Sequence, residues 1–315
     1  MAKYYILICF FAFALTASAQ KSTIIEGNIK SPYNERVSLT LFKSINIAEP
    51  TVANQTLVDS NFRFEFTLSA PAYFTLSTNR NLFKFFLIEP GDSIHIDMNI
   101  LQVQDVEFSG EGADKMNYQY WANIRYQDWY HPSASITADT GTRYFNFLDS
   151  CRGQQLYSLR NFKGLITPMA YQILQADVFY SFEDLKSKHI YNLFRDSATT
   201  QQARLLYKLY LPIQKKFIFN DAQCYSKNLI SYLIQQNQVD YQYFHSNNRS
   251  GNWAEEYQLA KQHTKGTIQE RVLATLLLNE DVSVIDGDIL KCAKDYLNGN
   301  YSPLFKELVR KKYAL

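Results

Sequence analysis

The 315-residue chain carries 32 Lys and Arg against 30 Asp and Glu, a formal net charge of +2, with no long block of either sign. That balance excludes the electrostatic footprint of a nucleic-acid binder. Aromatics make up 15%, with 23 Tyr and 22 Phe against 11 Gly and 8 Pro, which excludes a low-complexity chain and leaves apolar residues enough for two cores.

Lys3 is followed by an apolar run from Tyr4 to Leu15 and then by Thr16-Ala17-Ser18-Ala19 before Gln20. A short positive start, an apolar centre and an Ala-x-Ala ending predict a secretory signal peptide over residues 1–19, cut after Ala19. The run is short for a bilayer span, and no later stretch is long and apolar enough to cross one. The mature chain is therefore expected to be soluble and exported, periplasmic or secreted. Cys9 lies inside this segment, leaving Cys151, Cys224 and Cys292, an odd number spaced too widely for a redox pair or a zinc knuckle. Cys151 and Cys292 fall on apolar helix faces, which predicts buried, inert thiols.

From Thr23 to about Ser109 the sequence reads as β. Candidate strands are Thr23–Ile29, Arg36–Lys43, Thr51–Val58, Phe62–Leu68, Ala72–Thr78, a hairpin over Leu82–Met98, and Asp105–Ser109. Phe62, Phe64 and Phe66 alternate with Arg63, Glu65 and Thr67, the period of a half-buried strand. In the hairpin, Pro90 presets φ and Gly91 accepts positive φ, which predicts a type II turn. Ile94, Ile96 and Met98 then share one face, with His95 and Asp97 on the other. The preceding run is apolar almost throughout and is expected to be covered on both faces. Short alternating strands with regular turn signals predict an antiparallel β-sandwich over residues 20–111, and the lack of strand–helix alternation argues against a nucleotide-binding parallel sheet.

After Gly110-Glu111-Gly112 the apolar spacing becomes helical, and residues 112–315 are expected to form an irregular all-helical domain. Eight helices are legible. They are marked by Tyr118/Trp121/Ile124, Tyr144/Phe147/Leu148/Cys151, Tyr171/Leu174/Val178, Leu205/Leu206/Leu209/Ile213, Leu229/Ile230/Leu233/Ile234, Ile268/Val272/Leu273/Leu276, Ile289/Cys292/Tyr296 and Pro303–Tyr313. Pro212 should kink the fourth. Ser302 suits the start of the last, and Arg310-Lys311-Lys312 suits its end. The fold class is thus α+β with two domains. No fixed-period repeat supports a solenoid.

Catalytic motifs are missing. There is no Gly-x-Ser-x-Gly elbow, His-Glu-x-x-His helix, phosphate-cradling glycine loop or Cys-x-x-Cys. His95, His131, His189, His245 and His263 are scattered, with no two at ligand spacing, so no catalytic residue, cofactor or metal site is expected. Glu89 and Asp92 bracket the turn like a carboxylate pair, but turn corners favour acids for backbone hydrogen bonding. The densest aromatic segment, Tyr118 to Tyr130, supplies Trp121, Trp129 and Tyr130 as a candidate binding surface for a glycan or peptide. Against this, Tyr118 and Trp121 have the i, i+3 spacing of a packed helix face. Tyr241-Gln242-Tyr243-Phe244-His245 is a second such cluster, equally readable as a contact segment.

One ordered set of residues carries a resemblance. It runs Ile25-Glu26-Gly27-Asn28-Ile29, Phe62-Arg63-Phe64, Pro71-Ala72-Tyr73, Leu87-Ile88-Glu89-Pro90-Gly91-Asp92-Ser93-Ile94 and Phe108-Ser109-Gly110-Glu111-Gly112-Ala113, with Asn117 following. Over about Thr23 to Asn117 it resembles the uncharacterised β-domain at the N-terminus of exported TlpA-like thiol-disulfide oxidoreductases. The helical region is similar in kind but matches only loosely. In that family a thioredoxin domain with a Trp-Cys-x-x-Cys site follows. This sequence ends at a helix of the kind that precedes it, and none of Cys151, Cys224 and Cys292 lies in a matching motif. The resemblance therefore implies a non-catalytic binding or interaction protein of the bacterial periplasm, whose partner is a thioredoxin-like or cell-envelope protein. A truncated or split oxidoreductase working with a separate thioredoxin domain, and a glycan- or peptide-binding module, stand as alternatives.

Overall fold

The computed structural model describes residues 21–30, 36–42, 51–56, 60–78, 82–99, 102–125, 142–210, 219–245, 253–279 and 287–315. The predicted signal peptide and the expected residues Trp129, Tyr130, Pro212 and Ile213 lie outside the described residues. The chain divides into two compact units, with the main boundary between Ala113 and Asp114; the short segment Thr40–Thr51 groups with the second unit.

Among the described residues the first unit holds eight strands: β1 (Thr23–Lys30), β2 (Arg36–Phe42), β3 (Thr51–Thr56), β4 (Asn61–Phe66), β5 (Ala72–Ser77), β6 (Leu82–Ile88), β7 (Ser93–Asn99) and β8 (Gln102–Glu111). They form two four-stranded sheets, ordered β4-β1-β7-β8 and β3-β2-β5-β6. Alternation predicts burial well. Ile25 and Ile29 of β1, Val37, Leu39 and Leu41 of β2, Phe62 and Phe64 of β4, and Ile94, Ile96 and Met98 of β7 are all buried. Phe86 of β6 and Phe108 of β8 bring their rings within 5.2 Å, so an aromatic contact joins the two sheets. Phe86, Leu87 and Ile88 are all buried, as the apolar end of β6 requires.

The β1–β7 pairing departs from the antiparallel rule. β1 runs antiparallel to β4 but parallel to β7, with Gly27 opposite Ile96. A Cβ on Gly27 would lie 1.9 Å from the Ile96 carbonyl oxygen, so glycine is what allows the two backbones this approach. Between β5 and β6 the register shifts around Thr75, and Phe85 takes a φ of 54°, the mark of an irregular ladder.

The second unit holds nine helices among the described residues. They are α1 (Ala113–Arg125), α2 (Thr142–Arg160), α3 (Pro168–Arg195), α4 (Thr200–Tyr210), α5 (Lys227–Phe244), α6 (Trp253–His263), α7 (Gly266–Asn279), α8 (Gly287–Asn298) and α9 (Pro303–Tyr313). The α+β class is as the sequence implied, but α6 is not among the eight helices expected. Tyr257 and Ala260 are buried and Trp253 packs partly buried against the same core, an i, i+4, i+7 stripe that the sequence reading passed over. Helix α3, 28 residues long, starts where Thr167 accepts a hydrogen bond from the Ala170 amide at 3.0 Å with Pro168 in the first turn. Ser226 caps α5 by accepting from the Leu229 amide at 3.1 Å. Ser302 begins α9 without a side-chain cap; its amide donates instead to Glu270 at 2.7 Å. The core around Tyr180, Tyr232, Tyr257, Tyr296, Leu273 and Val309 ties α3, α5 and α6 to the last three helices. No helix among the described residues is long and apolar enough to cross a membrane.

Candidate functional site

The acidic corner of the central hairpin is consumed by its own turn. The Glu89 amide donates to the Asp92 carboxylate at 2.6 Å, and the Asp92 amide returns to the Glu89 carbonyl at 3.2 Å. Gly91 takes φ +87°, and its amide donates to Thr23 Oγ1 at 3.0 Å. Asp92 is a turn-former here, as its position implied.

Around His95 the outer face of the first sheet is a mesh of exposed charges. Arg63 pairs with Glu26 and Glu65, while His95 lies 3.9 Å from Glu26 and 3.4 Å from Asp97. The Ser22 hydroxyl, and then Arg63, hold the Glu65 carboxyl below its usual range. Among the described residues no group of three His, Cys, Asp or Glu could hold a metal ion.

Helix α1 splits the candidate aromatic surface. Tyr118 is buried and meets Phe162 edge-on at 5.3 Å. Trp121 is 37% exposed, with the Arg125 guanidinium 5.1 Å from its ring, and Ile124 is 48% exposed. Tyr118 is fully inside, whereas Trp121, one turn on, keeps part of its ring exposed. Trp129 and Tyr130 fall outside the described residues.

The three cysteines are free and buried. Burial pushes the Cys151 thiol up to about 11 and raises that of Cys224, so neither offers an ordinary thiolate at neutral pH.

Sequence reasoning missed the buried charges of α3. Glu183 receives both Arg152 and Lys186, the latter at 3.0 Å, and Lys186 also reaches Asp149 at 2.5 Å. These ions balance one another across the α2–α3 contact, with the Arg152 guanidinium 4.6 Å from the Phe179 ring. A second centre is Asp240 on α5. It accepts from Tyr207 at 2.7 Å and Gln236 at 2.9 Å, while His263 Nδ1 lies 3.5 Å from its other oxygen. A buried carboxylate facing an imidazole has the outline of a general base. Among the described residues, however, no hydroxyl or thiol is hydrogen-bonded to His263, and the group joins α4, α5 and the end of α6. Periodicity registers apolar positions only, so paired charges inside a core leave no trace in it.

Beside Asp240, the end of α5 and one face of α6 enclose an open cavity of about 300 Å³, lined by Tyr241, His245, Ala254, Glu255, Gln258, Leu259 and Gln262. The His245 ring stacks on buried Tyr241 at 4.5 Å and 22°, fixed by Nδ1 at 3.1 Å from the Tyr241 carbonyl oxygen. Glu255, Gln258 and Gln262 recur at i, i+3 and i+7, which puts all three on one side of the helix. The Tyr241–His245 cluster was visible in the sequence; the α6 side of the cavity was not, because α6 itself was not.

No protein-family model matches this chain, and no curated protein matches it.

Proposed function

We propose that this chain is an exported, non-catalytic binding protein of the bacterial cell envelope, equivalent to the accessory N-terminal region of a TlpA-like oxidoreductase. The observation that carries the reading is the state of its thiols: three free cysteines, all buried, with those of Cys151 and Cys224 raised by desolvation. Such thiols are poor nucleophiles, so dithiol chemistry belongs to a partner. Export rests on the Lys3-to-Ala19 signal pattern. The glycines quoted for the resemblance have backbone roles in this fold. Gly27 permits the approach to β7, Gly91 makes the turn, and Gly110 sits at φ +97° where a Cβ would lie 2.2 Å from the Ser93 carbonyl oxygen.

The test is insulin reduction by the mature chain beside a thioredoxin-family enzyme. Background turnover is expected; comparable turnover lost in Cys151→Ser, Cys224→Ser or Cys292→Ser would overturn the reading. Mass spectrometry of the exported protein should find Gln20 at its N-terminus, and retention of residues 1–19 would refute cleavage.

A second reading, glycan or peptide binding at α1, is favoured by the exposed Trp121 ring beside Arg125. It predicts that Trp121→Ala abolishes ligand binding in a chain that still folds.

A further inference from the structure

We propose that the loop joining α2 to α3 docks on an anionic lipid surface. The loop, residues 161–167, is closed by its own hydrogen bonds. The Leu165 and Ile166 amides both donate to the Phe162 carbonyl oxygen, at 2.9 and 3.1 Å, and the Phe162 amide donates to that of Leu159 at 3.0 Å. The Phe162 ring meets buried Tyr118 edge-on, which ties the loop to α1. At its other end Thr167 caps α3 and Pro168 sets the first turn. Within this frame Leu165 is 62% exposed and Met169 38%, and Tyr157 on α2 is exposed as well.

The charge around these side chains selects the surface. Arg160 and Lys163 precede Leu165, both are exposed, and neither has an ion-pair partner among the described residues. From Ser150 to Ala176 the sequence holds no Asp or Glu. Helix α1, which meets the loop through Tyr118, carries Lys115 and Arg125 against Asp114. Exposed apolar side chains beside unpaired cations match the two layers of an anionic bilayer. Leu165 and Met169 suit the boundary between headgroups and acyl chains, while Arg160 and Lys163 suit the phosphates above it. Tyr157, three residues before Arg160 on the same helix face, adds a ring with a polar tip, suited to the headgroup level.

Other occupants fit less well. A stable protein interface takes about 800 Å² from each side, and three apolar side chains around one loop are too few for it. A bilayer needs no matching shape, so the same few side chains suffice there. Two cations are also too few to hold a nucleic acid at physiological salt. A second exposed apolar pair, Leu205 and Leu209, lies on α4, which follows the opposite end of the 28-residue α3. That pair serves as a control for exposed apolar surface as such.

The experiment is vesicle flotation of residues 20–315, which contain every described residue and omit the apolar run Tyr4 to Leu15. The vesicles are phosphatidylcholine alone and phosphatidylcholine with phosphatidylglycerol. The unaltered chain is compared with Leu165→Ser/Met169→Ser, Arg160→Gln/Lys163→Gln and the control Leu205→Ser/Leu209→Ser. All six altered residues are exposed, so the variants should fold, which circular dichroism verifies. The expected result is flotation with the anionic vesicles only, weakened about tenfold or more in the first two variants and unchanged in the control. Flotation with neither vesicle, equal flotation with both, or equal loss in the control overturns the proposal. Sedimentation velocity reads the competing occupant. A dimer dissolved by Leu165→Ser/Met169→Ser, in a chain that binds no vesicle, overturns lipid docking in favour of a second copy. Insulin reduction is scored separately, so redox turnover would remove the non-catalytic reading and leave lipid docking standing.

Discussion

Tyr207 and Asp240 are joined by a 2.7 Å hydrogen bond from phenol to carboxylate, both side chains being buried between α4 and α5. The bond does two things at once: it satisfies a buried charge, and it holds Tyr207 flat against Tyr243, ring centroids 3.8 Å apart at 11°. Tyr207→Phe keeps the ring and removes only the donor. It should cost about 1.5–3 kcal/mol, the range for hydrogen bonds to charged groups, read as a lower urea midpoint at unchanged slope.

Glu183 is the buried anion shared by Arg152 and Lys186, so truncating it leaves two cations to the half-exposed Asp149 alone in the α2–α3 contact. Glu183→Ala should destabilise the helical unit by about 3–5 kcal/mol. Arg152→Ala should cost less, because Arg152 is partly exposed and Lys186 would still neutralise Glu183. Equal losses in urea unfolding would contradict this ranking.

Two glycines should respond to alanine with opposite signs. At Gly27 the new methyl meets the Ile96 carbonyl oxygen, and the β1–β7 ladder must part. The expected loss is at or above the upper end of about 1–3 kcal/mol. Gly153 lies within α2 with nothing within 4 Å of a Cβ. There, Gly153→Ala should stabilise by about 0.5–1 kcal/mol. Thermal melts of the two variants check both signs.

Stability should also fall on the alkaline side. Burial, as the main cause, raises the pKa of Tyr180, Tyr207, Tyr232, Tyr257 and Tyr296 above their ordinary 10.0. Cys151 is likewise raised, from 9.0 to about 11. In each case the unfolded chain releases a proton that the folded chain keeps, so stability present at neutral pH is lost from about pH 9 upward. His189 works from the other side. Burial lowers its pKa from 6.5, so the unfolded chain takes up a proton first, and its contribution is lost as pH falls below that value. Urea midpoints across pH should therefore show a plateau between these limits; a midpoint still rising above pH 10 would contradict the tyrosine assignment. Cys151 should react with a thiol reagent far more slowly in the folded chain than in urea.

The residues that were legible in the sequence are those whose signal is local. Pro90-Gly91 specified its turn, the alternation from Ile94 to Met98 its buried face, and the spacing of Ile289, Cys292 and Tyr296 the buried side of α8. What stayed hidden is non-local. Parallel pairing of β1 with β7 depends on strands nearly seventy residues apart, and no neighbour of Gly27 announces it. The stripe on α4 was half misread: Leu206 is buried, but Leu205 and Leu209 are 58% and 52% exposed, while Ala203 and Tyr207 take the inner face. A spacing of three or four identifies a shared face without saying which way it points.

Strand order imposes a timetable on the nascent chain. β1 leaves the ribosome first yet sits inside its sheet, between β4 and β7. It cannot complete its hydrogen bonding until Asn61–Phe66 and then Ser93–Asn99 have been synthesised. Until then its N–H and C=O groups remain open to foreign strands, and closure must wait on contacts of long sequence separation, which form slowly. A chain whose first strand is a late-closing keystone leaves this sheet open until Ser93–Asn99 has been made. On the export proposed above, that delay is an advantage.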